Sequence, residues 1–156
     1  MRFSRFLHFT LILALVVGIL NYPIITKADS VNKVKVNGKL LVIDAPPVIE
    51  EGSLMVPFRA IFEELGCDVA WIPQTRSIES RKNGLTINLQ LDNIKALVNG
   101  QEKTMQVPAK LINNTTMVPV RFISENLGAN VEWDAEAHTA NITMPVSTST
   151  SINTPK

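Results

Sequence analysis

Two arginine–glutamate pairs are the residues of this chain whose spacing most directly suggests chemistry. Arg59 precedes Glu63 by four positions, and Arg121 precedes Glu125 by the same interval. Side chains four residues apart on a helix are neighbours, so each pair can form an ion pair. The dipole of a helix disfavours an arginine in its first turn, which indicates a specific partner for each guanidinium group. Either the two arginines bind an anion on one surface, or each fixes its helix to a sheet through backbone carbonyl groups and its own glutamate.

Two tryptophans form the second candidate group. Trp71 and Trp133 each end a short predicted strand, and exposed aromatic rings at such positions can stack on sugar rings. The alternative is that both rings pack in the core beside the preceding helix. Asp134 could add a polar contact to a sugar, but Ile72 takes its place after Trp71. The candidate binding residues are therefore Arg59, Arg121, Trp71 and Trp133.

The residue types needed for catalysis are scarce. Cys67 is the single cysteine, which excludes an intramolecular disulfide, and His138 is the only histidine after His8. One histidine cannot form a histidine metal cluster, and the sequence has no calcium-loop, Ser-His-Asp or phosphate-binding motif. We interpret Cys67 as a small buried hydrophobic residue. The sequence predicts no enzyme activity, no cofactor and no metal site.

An internal repeat organises the elements that position the candidate residues. Residues 36–71 and 98–133 align without a gap at an offset of 62, and 14 of the 36 aligned positions are identical. The identical residues include Val-Asn-Gly, Met-Val-Pro, the spaced motif Arg-x-Ile-x-Glu-x-Leu-Gly, and Val-x-Trp. Self-similarity of this length indicates two copies of one structural unit.

Each copy combines short strands with one helix. Asn37-Gly38 and Asn99-Gly100 favour positive φ angles and predict tight hairpins. Pro57 suits the start of a helix, and Gly66 can supply the left-handed residue that ends it. The sequence predicts an α+β fold made of two pseudo-repeats of ββαββ type, in which short antiparallel strands curl around one helix per repeat.

The apolar face of the second predicted helix is thinner than that of the first. In the first helix Phe58, Ile61 and Phe62 recur at helical spacing, whereas Ser124 replaces Phe62 in the second copy. We therefore expect the second helix to be less deeply buried.

The two ends of the chain differ in composition from the repeats. Residues 1–28 contain two arginines, a short apolar stretch and small residues before Asp29, which is typical of a secretory signal peptide. A retained membrane anchor is the alternative. Residues 29–145 form the predicted domain, with repeats at 34–91 and 94–144, and the Ser/Thr-rich residues 146–156 predict a disordered tail.

The charge balance excludes one class of partner. Without the three basic residues of the leader, 12 basic and 14 acidic side chains remain, a net charge of −2. A slightly acidic domain with no basic run lacks the positive surface of a nucleic-acid-binding protein. After cleavage we expect no nucleic-acid partner and no membrane span, and a homo-oligomer stays compatible with these residues.

The repeated motif closely resembles the copper amine oxidase N-terminal-like (stalk) domain family. The first copy reads VNGKLLVIDAPPVIEEGSLMVPFRAIFEELGCDVAW, and the second reads VNGQEKTMQVPAKLINNTTMVPVRFISENLGANVEWD. The resemblance covers roughly residues 34–144. It implies an antiparallel sheet curled about a helix, and a setting in secreted or cell-wall proteins of Gram-positive bacteria.

The resemblance does not imply amine oxidase chemistry. In such enzymes the activity resides in a separate domain that has a modified tyrosine and three histidine copper ligands. The single tyrosine of this chain, Tyr22, lies in the predicted leader, and one histidine cannot make a three-histidine site. Copper and the quinone cofactor are therefore excluded for these residues.

These observations lead to two main hypotheses, and an enzyme of unrecognised type, such as a glycan hydrolase, is a third alternative. The first is a secreted, non-catalytic stalk-type module that binds a cell-wall component or an extracellular protein. The second is a small inhibitor or accessory factor of an exported hydrolase, which would need an exposed loop. The polar stretch from Gln74 to Asn83 is the segment of suitable length.

Overall fold

A computed structural model describes residues 31–145, so the predicted signal peptide and the predicted tail lie outside the described residues. Thirteen strands and two helices form within residues 31–145. In chain order these elements are β1 (Lys33–Val36), β2 (Lys39–Leu40), β3 (Val48–Glu50), β4 (Ser53–Pro57), α1 (Phe58–Glu64), β5 (Asp68–Ile72), β6 (Ser77–Lys82), β7 (Leu85–Gln90), β8 (Lys95–Val98), β9 (Gln101–Thr104), β10 (Lys110–Ile112), β11 (Thr115–Pro119), α2 (Val120–Asn126), β12 (Asn130–Asp134) and β13 (Thr139–Thr143). None of the helices in this range has the length and apolar character to cross a bilayer.

The fold is mostly β, with one short helix in each repeat. Each repeat places two hairpins before its helix and one hairpin after it, for example β1–β2 and β3–β4 before α1, and β5–β6 after it. The predicted ββαββ order is therefore incomplete, because it lacks two strands per copy. The strands β3 and β10 are only three residues long.

The two repeats are related by an approximate two-fold arrangement centred on β4 and β11. These strands pair antiparallel, and Val56 lies opposite Val118, its own counterpart at the offset of 62. The strands form a central four-stranded sheet in the order β10-β11-β4-β3. Equivalent residues of the two copies therefore meet at the middle of the molecule.

The outer hairpins are exchanged between the repeats. The last hairpin of the second repeat joins the first hairpin of the first repeat in the sheet β12-β13-β1-β2. The corresponding sheet on the other side has the order β5-β6-β7-β8-β9. The additional strand β7 separates β6 from β8, whereas β13 pairs directly and in parallel with β1.

The predicted turns and helix ends are present. Asn37 and Gly38 have φ angles of 50° and 81°, and Asn99 and Gly100 have φ angles of 51° and 76°. Gly66, with a φ angle of 76°, follows α1, and its N–H donates to the Glu63 carbonyl at 2.9 Å. This geometry ends a helix without leaving its last carbonyl groups unpaired.

Both helices face one apolar core. Each helix contacts β4 as well as β11, because each follows directly from one of these central strands. In α1 the buried residues are Ile61 and Phe62, and in α2 they are Val120, Ile123 and Ser124. The expectation that α2 is less deeply buried is therefore wrong: Ser124 is as fully buried as Phe62, whose place it takes.

A second, smaller core lies under the curled central sheet. It contains Met55, Val107 and Met117. Lys110 on the edge strand β10 reaches Glu50 on the opposite edge strand β3, with 3.0 Å between Nζ and Oε1. The sheet is therefore curled enough for its two edges to make contact.

Candidate functional site

Both candidate arginines form the predicted ion pairs on their helices. The distance from arginine Nη1 to glutamate Oε1 is 3.3 Å in Arg59–Glu63 and 3.3 Å in Arg121–Glu125. Arg121 Nη1 also donates to the carbonyl oxygen of Val131 at 3.4 Å. This contact joins α2 to β12, as expected for an arginine that fixes a helix to a sheet. All four charged side chains remain more than half exposed.

In the first repeat Phe58 contacts both candidate residues. The centroid of its ring lies 6.4 Å from that of Trp71, with an interplanar angle of 46°. The guanidinium carbon of Arg59 lies 5.3 Å from the Phe58 centroid. Trp71 is consequently only partly exposed. An arginine over an aromatic face is attracted by the quadrupole of the ring.

In the second repeat a valine replaces the phenylalanine that makes these contacts. Val120 occupies the position equivalent to Phe58, while Arg121 and Trp133 are retained at the positions of Arg59 and Trp71. Trp133 is 40% exposed. The Trp133 ring meets the His138 ring edge to face, with 6.4 Å between the two ring centroids.

A cavity of about 310 Å³ adjoins Trp133 and Arg121. We call it the second-repeat groove. Its lining residues are Ile49, Gly52, Ser53, Leu54, Gln106, Pro119, Val120, Arg121, Phe122, Glu125, Val131, Trp133 and Ala140. Apolar side chains form most of this lining, and Arg121, Glu125 and Gln106 supply polar groups, a combination typical of ligand sites.

The structure separates the four candidate residues into two pairs. Arg121 and Trp133 line the second-repeat groove together, whereas Arg59 and Trp71 are bridged by Phe58. The binding role of all four remains a prediction. The sequence pointed to the residues of α2 and β12, but not to Ile49 and Leu54, which come from the β3–β4 hairpin of the other repeat.

The signal for this groove was present in the sequence alignment of the two repeats. The change from Phe58 to Val120 replaces an aromatic ring beside a retained tryptophan. The contribution of the β3–β4 hairpin could not be read from the alignment, because it depends on how the two repeats pair in space. The alignment therefore shows where Val120 replaces a phenylalanine, but not that the β3–β4 hairpin forms the opposite wall of the groove.

The segment proposed as an inhibitory loop is a strand. Ser77–Lys82 forms β6, which pairs with β5 on one side and β7 on the other. Ile78 and Ser80 are buried within it. The expectation of an exposed loop over Gln74–Asn83 is therefore wrong, because alternating polar residues on a paired strand resemble a polar loop in composition.

Cys67 is buried, as predicted. Burial raises the pKa of its thiol, and the neighbouring Ser80 side chain offsets part of this effect. A thiol with a raised pKa is mostly protonated at neutral pH and is a poor nucleophile. Within residues 31–145 no group of three or more histidine, cysteine, aspartate or glutamate side chains is placed to hold a metal ion.

Comparison with known proteins gives two findings. Residues 35–142 match the family described as copper amine oxidase N-terminal domain, which confirms the resemblance of the repeated motif. A relative named "Protease inhibitor", from Brevibacillus choshinensis, is 30% identical over 108 residues. The matched region covers 68% of this chain and 32% of that protein, so the chain spans about a third of the relative's length.

Proposed function

The chain belongs to the copper amine oxidase N-terminal domain family, and on that premise we propose that it is a secreted, non-catalytic module that binds another protein or a cell-wall component. The observation that carries this proposal is the second-repeat groove. It places a partly exposed tryptophan and an arginine beside apolar side chains from both repeats. Partly exposed aromatic residues in apolar concavities are common at binding sites.

The non-catalytic character rests on the residue inventory. One histidine after the leader cannot provide three copper ligands, and the tyrosine of the chain lies in the leader. The buried Cys67 is a poor nucleophile because its pKa is raised. Most of the residues that the two repeats share build turns, helix ends and the core.

Secretion rests on residues 1–28. If these residues are a signal peptide, the protein recovered outside the producing cell should begin at Asp29. Intact mass and N-terminal sequencing of the exported protein measure this directly. An exported product that still carries the apolar stretch would instead support a retained anchor.

Binding can be tested with the chain that begins at Asp29. Purified protein should be retained on cell-wall sacculi or on proteins of the cell surface, and Trp133→Ala should reduce the retained fraction at least about tenfold if the ring is a hot spot. Leu40→Ala is the matched control, because Leu40 is also an exposed apolar residue but does not line the groove. Equal retention of the two variants would contradict a role for the groove.

Protease inhibition is the second candidate, and the name of the relative favours it. Because Gln74–Asn83 is a turn and a paired strand, an inhibitory contact would have to use another surface. Exported proteases should lose activity in the presence of the chain, which should itself stay uncleaved. If secreted serine, cysteine and metalloproteases all keep their activity in the presence of the chain, only the binding-module proposal remains.

A further inference from the structure

We propose that the second-repeat groove takes an aromatic side chain presented by a partner protein, in contact with both Trp133 and the guanidinium group of Arg121. This inference rests on the proposed binding role of the groove and names the chemistry of its occupant. It begins with the comparison of the two repeats, which share the tryptophan and the arginine but differ in the residue between them.

The first repeat shows which group fits between these two residues. The Phe58 ring contacts both the Trp71 ring and the guanidinium group of Arg59. The second repeat keeps the arginine and the tryptophan and has Val120 in place of the phenylalanine. The first repeat is thus an internal template for the occupied state of the second.

Charge complementarity favours an aromatic occupant over an aliphatic one. The Arg59 guanidinium carbon is 5.3 Å from the Phe58 centroid, within the range of a cation–π contact. Arg121 has the same ion-pair geometry as Arg59, with 3.3 Å to its glutamate in both helices. It therefore offers positive charge to the negative face of an incoming ring, which an aliphatic side chain lacks.

We infer that the ring comes from another molecule. Residues 146–156 contain no phenylalanine, tyrosine or tryptophan, so the segment that follows the described domain cannot supply it. Among the large hydrophobic residues exposed in residues 31–145, the aromatic one is Trp133 itself. An aromatic side chain from a partner is thus the occupant that matches the template.

The backbone beside the groove favours a protein segment over a sugar. The strand β12 is the edge of its sheet and pairs with β13 on one side only. An edge strand has unpaired backbone N–H and C=O groups, and an extended peptide can pair with them while its side chain enters an adjacent pocket. Arg121 donates to the Val131 carbonyl on this strand, which places its side chain next to β12.

Small blocked amino acids test the inference on the chain that begins at Asp29. A Trp71→Phe variant leaves Trp133 as the only tryptophan, so its fluorescence reports on the groove. N-acetylphenylalaninamide should change this emission saturably, with N-acetylleucinamide at least about fivefold weaker, as expected if the cation–π contact contributes. Triacetylchitotriose is the glycan probe.

Two variants separate occupancy from other causes. Val120→Phe copies the first repeat and should fill the groove. It should lower the affinity for N-acetylphenylalaninamide at least about tenfold, whereas Val120→Ile should not. Arg121→Met keeps the length of the side chain and removes the charge. It should lower the affinity for N-acetylphenylalaninamide several-fold and leave the affinity for N-acetylleucinamide unchanged. This variant keeps the test valid if Val120→Phe fails to fold.

Each outcome has a defined meaning. Preference for the phenylalanine probe, lost in Val120→Phe or in Arg121→Met, supports the inference. Equal binding of the leucine probe, or no response to either amino acid, overturns it. If triacetylchitotriose binds and neither amino acid does, the inference of an aromatic side chain as the occupant is overturned, but the groove is still a binding site. The proposed function is tested separately. It would be overturned if the chain that begins at Asp29 were retained neither on sacculi nor on surface proteins.

Discussion

Ser124 shows how a single position can depart from its repeat without leaving the core. It occupies the place of Phe62, and both residues are fully buried. The Ser124 hydroxyl has no hydrogen-bond partner among the described residues. A buried hydroxyl without a partner is destabilising by roughly 1–3 kcal/mol. The serine is therefore a weak point at the centre of the fold.

Replacing this serine should make the protein more stable. Ser124→Ala removes the unpaired hydroxyl and favours the helix, so we expect the free energy of unfolding to rise by about 1–2 kcal/mol. Urea denaturation measures the change. Ala60→Ser, at a half-buried position of α1, is the control for helix propensity. It should lower the free energy of unfolding by about 0.5 kcal/mol. A loss of stability in Ser124→Ala would show that the hydroxyl has a partner in solution.

Cys67 should react slowly while the protein is folded. The thiol is buried and its pKa is raised, so both access and thiolate fraction are low. At pH 8 we expect alkylation by iodoacetamide to be at least about a hundredfold slower in the native protein than in urea, since reaction requires opening of the core. Mass spectrometry gives both rates. Equal rates would place the thiol at the surface.

At the scale of elements, Lys110 connects the two edges of the central sheet. Its ammonium group lies 3.0 Å from Glu50 and 3.7 Å from Glu51, across the two edges of the sheet. The hydrogen bond to Glu50 raises the pKa of Lys110 above its ordinary value of 10.5. A raised lysine pKa means that the stabilisation is fully present below the unfolded pKa and is lost as pH rises through the folded one.

This linkage gives a pH-dependent prediction. The difference in unfolding free energy between wild type and Lys110→Met should be constant from about pH 7 to 10 and should shrink above about pH 10.4, where the lysine of the unfolded chain loses its proton. Urea denaturation at pH 8 to 11 measures it. Lys35→Met on β1 controls for the loss of one positive charge. A difference that grows with pH would contradict the proposed ion pair.

Local signals predicted the turns and helix ends, but not all of the strands. Asn37-Gly38, Asn99-Gly100 and Gly66 adopt the positive φ angles that their residue types favour. The strands β3 and β10 were missed because three residues cannot show an alternating pattern. The same absence of pattern hid Ile49 and therefore one wall of the groove.

At the scale of the whole molecule, the exchange of hairpins makes the two repeats interdependent. The pairs β4–β11, β7–β8 and β1–β13 all join residues on different sides of the boundary near residue 92. No local pattern in the sequence predicts the pairings β4–β11 and β1–β13, since their strands are distant in the chain, whereas β7 and β8 are neighbouring strands. The offset of 62 revealed the duplication but not the exchange.

Separated repeats should therefore not fold alone. Fragments 34–91 and 94–144 each leave the core half open, so neither should show cooperative urea unfolding by circular dichroism. An equimolar mixture should regain β structure, because the exchanged strands can pair between molecules. The intact chain should unfold in one transition. A fragment that unfolds cooperatively by itself would mean that the repeats are independent units.

The parallel pairing of β1 with β13 has a mechanical consequence. Because the strands run in the same direction, the chain enters at the Lys33 end of β1 and leaves at the Thr143 end of β13, on opposite sides of the pair. Tension applied through the two termini pulls the strands past each other along their length. Their hydrogen bonds are then loaded simultaneously instead of being unzipped one by one, so this domain is built to resist stretching.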